Sequence, residues 1–185
     1  MTSSSEIEEK ELHRLLLLPQ TRRGAFEQVV RQYSQQLYWT VRRVVISHDD
    51  ADDIIQNVWL KAWKNLDHFR QDAHISTWLY RIAVNESLDF LRKKKLQTIF
   101  DADDLVGITE RLVADNYFDG DHTQQLLQQA IAQLPDVQRM VFTLRYYDEI
   151  KYSEMSKLLN TSEGALKASY HIAVKKITDF FNKQN

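Results

Sequence analysis

The chain contains no cysteine. That excludes disulfides, a thiolate nucleophile and cysteine-ligated zinc. Glycine and proline number only 4 and 2 among 185 residues, too few for the tight turns of a sheet-rich fold. The only long aliphatic run is Leu15–Leu18, far too short to cross a membrane. The opening MTSSSEIEEKELHR lacks the basic-then-apolar order of a secretion signal. These absences lead us to expect a cytoplasmic protein without direct membrane insertion. Catalytic signatures are missing too. The six histidines (His13, His48, His68, His74, His122 and His171) show no metal-binding spacing, and there is no glycine-rich phosphate loop or nucleophile elbow. The expectation is a non-enzyme with no metal, no cofactor and no small-molecule substrate.

What is present is helical periodicity. Hydrophobic residues make up 43 % of the chain, enough to form a core. Phe26, Val29, Val30, Tyr33, Leu37, Val41 and Val44 recur at threes and fours. A second helix is expected from near Asp50, with Ile55, Val58, Trp59, Ala62, Trp63 and Leu66 as its apolar stripe. A third is expected from Ser76 as N-cap, with Leu79, Ile82, Ala83, Leu88 and Leu91 inside and Arg92–Lys95 at its end. The segment 97–121 has little periodicity and reads as an extended linker, with one short helix around Thr109 to Ala114. Beyond it, one helix runs from near Thr123 to Pro135. The next opens at Pro135 and Asp136.

The net charge of −2 conceals a pattern. It is −2 over residues 1–21, +4 over 22–95, −6 over 96–121 and +2 over 122–185. Two mildly basic bodies are joined by an acidic strap, an asymmetry more informative than the total. The fold class expected is all-α: two small helical domains, at 22–96 and 122–185, with an acidic linker at 97–121.

The last quarter of the chain, Tyr152 to Ile177, reads as helix, tight turn, helix, an arrangement that can present its second helix to the DNA major groove. Asn160 tolerates the left-handed conformation that ends the first helix. Ser162 suits the N-cap of the second, and Glu163 its positive dipole end. Met155, Leu158, Leu159, Leu166 and Tyr170 can pack between the helices, leaving Lys167, His171 and Lys175 outward at fourfold spacing. Gly164 stands in the first turn, where glycine is about 1 kcal/mol worse than alanine; a position without a side chain admits backbone close to a phosphate or groove wall. The pattern alone also fits an ordinary helical hairpin.

Two further faces carry polar constellations. Opposite its apolar stripe, the second helix presents Asp52, Asp53, Gln56, Asn57, Lys61 and Lys64, either a solvated face or a docking surface. The third carries Trp78, Tyr80, Arg81, Asn85, Asp89 and Arg92. Aromatics interleaved with cations suit single-stranded nucleic acid, but the rings also suit a core. Between these helices lies the short polar loop 67–75, with Phe69 and Arg70.

Taken together, residues 49–95 closely resemble region 2, and residues 134–177 region 4, of the extracytoplasmic-function sigma factors of bacterial RNA polymerase. The resemblance implies binding to core RNA polymerase, recognition of promoter DNA at −35 and −10 elements, and DNA melting. By position it implies that Asp52, Asp53, Gln56, Asn57 and Lys61 meet the core enzyme. It assigns the −10 element and its melting to Phe69, Arg70, Trp78, Tyr80, Arg81, Asn85 and Arg92, with loop 67–75 holding a flipped base. It assigns −35 recognition to Ser162, Glu163, Gly164, Lys167, Ala168, His171 and Lys175. It also implies a cognate anti-sigma factor, often membrane-anchored. The chain departs from the family pattern in three places. Asn57 replaces an acidic residue, Lys151 replaces a capping Ser or Thr, and Ala168–Ile172 lack the usual arginines. A different reading of the residues is a dimeric helix-turn-helix regulator that binds operator DNA alone; a third is an adaptor that binds only protein.

Overall fold

Helix boundaries follow from local chemistry. The computed structural model describes residues 2–69, 74–98 and 122–184, and within them every regular element is helical. The helices are α1 (Thr2–Leu17), α2 (Arg22–Val45), α3 (His48–Lys64), a single 3-10 turn (Leu66–His68), α4 (Ile75–Thr98), α5 (His122–Ala132), α6 (Asp136–Tyr146), α7 (Tyr152–Leu159) and α8 (Glu163–Gln184). Ser47 caps α3 by accepting from the Asp50 N–H at 3.3 Å. Asp49 and Asp50 then lie in the first turn and Lys61 and Lys64 in the last, matching both ends of the helix dipole.

The third expected helix starts one residue before Ser76. Ser76 is therefore inside α4 and does not cap it. The cap comes from far away in sequence: a Glu9 carboxylate oxygen accepts the Ile75 N–H at 2.9 Å, and its other oxygen pairs with His74. Glu9 belongs to α1, a helix the sequence pattern did not reveal. Helix α1 packs along α2 and buries Leu16. Its His13 ring lies 4.5 Å from Phe69, which in turn lies 4.8 Å from Trp78. The short helix expected around Thr109 to Ala114 falls outside the described residues.

Helices α2, α3 and α4 form the first helical body around Leu37, Val41, Val44, Val58, Leu79 and Ala83, each at most 1 % exposed. Trp63 departs from the expected apolar stripe. It touches Phe26 edge-on at 5.1 Å yet remains 43 % exposed. The C-terminal body has a core of its own: Ala130, Ile131, Leu134, Phe142, Ala173 and Ile177. The opposite side of that body carries Met140, Val141, Leu144, Met155 and Leu166, and these join the first body's core. Helix α6 therefore packs on α2, and α7 on α4. Burying a side chain such as Leu144 contributes about 1.5–3 kcal/mol, so this shared core favours the closed arrangement of the two bodies. Among the described residues, no helix is long and apolar enough to cross a membrane.

Candidate polymerase and nucleic-acid interfaces

The helix-turn-helix forms as the sequence indicates. Asn160 closes α7 in the left-handed region, with φ 48 and ψ 47, and Thr161 donates its N–H to the Ser156 carbonyl at 3.2 Å. The Ser162 hydroxyl then accepts the Ala165 N–H at 3.3 Å, capping α8. Met155, Leu158 and Leu166 fill the inner angle. Tyr170 stacks on Phe142 at 5.7 Å with planes 13° apart, which ties α8 to α6. The outer face of α8 is left to solvent: Ser162, Glu163, Gly164, Lys167, Ala168, His171 and Lys175 are all exposed. Lys167 is held loosely, 3.7 Å from Glu163 and 5.6 Å from the centre of the Tyr152 ring. A Cβ built on Gly164 would meet nothing within 4 Å, so internal packing does not require glycine there.

On α3, Asp52, Asp53, Gln56, Asn57 and Lys61 form one exposed face. His48 sits one turn from Asp52, with Nε2 3.5 Å from its carboxylate. Lys61 pairs with Glu86 of α4. This face meets a groove of about 730 Å³ whose lining includes Lys61, Asn85, Arg92, Lys95 and Val137. The groove runs between the two bodies, since Val137 belongs to α6.

The residues expected to act at the −10 element divide into two sets. Arg81, Asn85 and Arg92 are exposed along α4, with Arg92 paired to Asp89. Phe69 and Tyr80, by contrast, are core residues at 5 % and 6 % exposure, and Trp78 is half-buried against Phe69. Phe69 and Trp78 complete the packing of α1 on α4, whereas Tyr80 faces Thr40, Gln36 and Asp148; Phe69 and Tyr80 are thus off the accessible surface in this arrangement. Arg70 lies outside the described residues.

A polar seam joins the bodies, and sequence reasoning missed it. Arg139 of α6 is 5 % exposed. Its Nε donates to the Val44 carbonyl at 2.7 Å, Nη1 to the Ala132 and Leu134 carbonyls at 3.2 and 2.9 Å, and Nη2 to Asp136 at 2.7 Å. Burial lowers the Arg139 pKa, and the Asp136 carboxylate works against that. Nearby, Thr40 of α2 donates to Asp148, 3.0 Å from either carboxylate oxygen. Arg43 lies 4.0 Å from the centre of the Tyr147 ring. Burial pushes Asp148 up to about 6, against the opposing pull of the Thr40 hydrogen bond, Arg43 and the Tyr80 hydroxyl. Burial likewise raises the Tyr80 and Tyr147 hydroxyls. The available signal was Arg139 itself, a cation set between the apolar Val137, Met140 and Val141.

This architecture is that of a two-part helical DNA-binding protein whose C-terminal helix-turn-helix presents an exposed second helix. Residues 29–97 match the model of sigma-70 region 2, and residues 124–177 match that of sigma-70, region 4. The ECF RNA polymerase sigma factor SigW of Bacillus subtilis is 35 % identical over 156 residues, covering 80 % of this chain and 83 % of SigW. The ECF RNA polymerase sigma-E factor of Escherichia coli K12 is 29 % identical over 153 residues, covering 78 % and 80 %. Two solved structures share the fold. CnrH in complex with the cytosolic domain of CnrY superposes with TM-score 0.67 at 20 % identity, over 96 % of this chain and 99 % of that one. RpoE of Bartonella quintana, in complex with the anti-sigma factor NepR, gives 0.66 at 18 %, over 85 % and 96 %. The chain belongs to the extracytoplasmic-function RNA polymerase sigma factors, the initiation factors that direct transcription to promoters.

Proposed function

We propose that this sigma factor grips core RNA polymerase through the exposed α3 face of Asp52, Asp53, Gln56, Asn57 and Lys61. Loop 67–75 then holds a base of the melted −10 element, while Arg81, Asn85 and Arg92 of α4 follow its backbone. Phe69 and Trp78, packed ring to ring where the loop begins, act as its support, while Tyr80 contributes only through the core. A base that leaves the stack needs a fixed pocket, and melting costs a few kcal/mol per step; a rigid aromatic floor keeps the pocket from adding an ordering cost. The exposed face of α8, from Ser162 to Lys175, reads the −35 element. Residues 22–96 and 122–185 are the two gripping domains, with 97–121 as the acidic connector. The work is binding, melting and release in the cytoplasm, and the polymerase supplies the covalent chemistry. An anti-sigma factor is the expected inhibitor.

The observation that carries this reading is the order and spacing of the two matched regions, each with an exposed polar face. The test is to mix the full chain with core RNA polymerase and a promoter library and sequence the transcripts. Core-dependent initiation from one shared two-part motif is expected. Tight operator binding by the chain alone, with no gain in transcripts, would overturn the reading in favour of a free-standing regulator.

A further inference from the structure

The seam between the two bodies is made of groups that have a second home. The Thr40 hydroxyl lies 3.0 Å from Asp148 and also 3.0 Å from the Gln36 carbonyl of its own helix. Arg139 gives one bond to Val44 but keeps Ala132, Leu134 and Asp136 within its own body. Asp148 stands in the turn after α6, where separation would return its carboxylate to water. When the bodies separate, each of these groups keeps a partner in its own body or gains water, so none is left buried and unpaired. The Tyr80 hydroxyl of α4 is buried at this seam, beside Thr40, Gln36 and Asp148.

We propose that Thr40 and Asp148, seated beside the Tyr80 hydroxyl, form a latch that holds regions 2 and 4 together, and that the latch opens before the chain engages a two-part promoter. The second half of this statement rests on the function proposed above. The first half does not. The charged and titratable groups facing Asp148 are Arg43 from α2 and Tyr80 from α4, with Thr40 as its hydrogen-bond donor.

The latch has a definite pH response. Its carboxyl titrates at the ordinary 3.8 when solvated and at about 6 when closed. Closing therefore takes up a proton within that window. Closure is strongest in acid, weakens as pH rises through about 6, and changes little above that. Asp148→Asn, neutral and of the same shape, should hold the closed form at every pH, with a closing equilibrium on the order of a hundredfold more favourable than wild type at pH 7.5.

The cysteine-free sequence allows a direct measurement. Val141→Cys puts a thiol where the native side chain is 0 % exposed in the shared core, and its rate of modification by a thiol reagent reads the opening equilibrium even when the open form is rare. Ile131→Cys, in the separate core of region 4, reports unfolding of that body alone. With rates normalised to a free cysteine at each pH, Asp148→Asn is expected to slow modification at position 141 about a hundredfold at pH 7.5. Thr40→Val should speed it, wild type should slow from pH 7.5 to 5, and position 131 should not follow. Wild-type rates in the Asp148→Asn protein, or parallel changes at both positions, would overturn the latch. Adding core RNA polymerase should speed modification at position 141. If the variants behave as stated but core has no effect, the latch stands and its link to polymerase binding fails.

Discussion

The Arg139 guanidinium donates to the Val44 carbonyl at 2.7 Å, so one cation from region 4 closes the C-terminal end of a region 2 helix. The same group takes up the Ala132 and Leu134 carbonyls at the end of α5. Two helix ends, each with a partial negative charge and unmet carbonyls, share one buried partner. The arrangement links the local fold of region 4 to the way the two regions meet.

Arg139→Ala should therefore destabilise more than its removed surface suggests. It leaves three carbonyls without their donor and leaves Asp136 without its partner. A buried carbonyl left without its donor costs about 1–3 kcal/mol, and the midpoint of urea denaturation should fall accordingly. A loss below about 0.5 kcal/mol, the range of ordinary surface substitutions, would show that water replaces the guanidinium without penalty.

Asn160 offers a cleaner backbone test. Its φ of 48 lies in a region that costs an ordinary residue about 1–2 kcal/mol. Asn160→Val should lower stability by that amount, whereas Asn160→Gly should be neutral or slightly stabilising. Equal losses in the two variants would place the importance of Asn160 in its side chain.

These features differ in how much of them the sequence discloses. The αL turn at Asn160, the Ser162 cap and the outward row Lys167, His171 and Lys175 depend on neighbours within one or two turns, so local pattern suffices. Helix α1 was missed because Glu6 to Glu11 is mostly acidic and most of its apolar residues crowd at its end, Leu15 to Leu17, which hides the stripe. The Glu9 cap on Ile75 spans 66 residues and the Thr40–Asp148 contact 108. Periodicity tells which face of a helix is apolar and is silent on which helix covers it. Tyr80 shows the same limit: a ring among polar residues suits a nucleic-acid surface and a core equally well, and only the position of α7 and Asp148 decides.

Lys167→Ala should separate recognition from stability. The Lys167–Glu163 pair is exposed and 3.7 Å apart, and such pairs contribute roughly 0–1 kcal/mol, so thermal stability should barely change. Promoter use should change: a lost base contact is worth about 1–3 kcal/mol, or roughly 5- to 150-fold in −35-dependent initiation. The check is a pair of promoters, intact and mutated at −35. An equal drop on both would remove Lys167 from −35 recognition.

Trp78→Ala should affect melting more than binding. The indole supports Phe69 at 4.8 Å, and Phe69 enters the loop proposed to hold the flipped base. Removing the ring loosens that floor while the exposed faces of α3 and α8 stay intact. Permanganate reactivity of the −10 thymines should fall well before closed-complex affinity does. Reactivity that holds at wild-type level would argue against a role for this ring in strand opening.

His13 sets a pH dependence opposite in sign to that of Asp148. Burial lowers its pKa below 6.5, with Glu9 pulling the other way, and the ring packs against Phe69 at a tilt of 32°. The folded chain thus prefers the neutral imidazole, while the unfolded chain takes up a proton near 6.5. The stabilisation is fully present above 6.5 and is lost as pH falls from there towards the lowered folded value. Asp148 acts in reverse, since closure gains strength as pH falls through about 6. Wild-type stability between pH 5 and 7.5 should therefore look flatter than either group alone would make it. In an Asp148→Asn background the acid loss due to His13 should stand out as a falling urea midpoint below pH 6.5. Adding His13→Phe, which keeps a ring against Phe69 and removes the titration, should abolish that fall. A slope that survives His13→Phe would assign the acid sensitivity to another group.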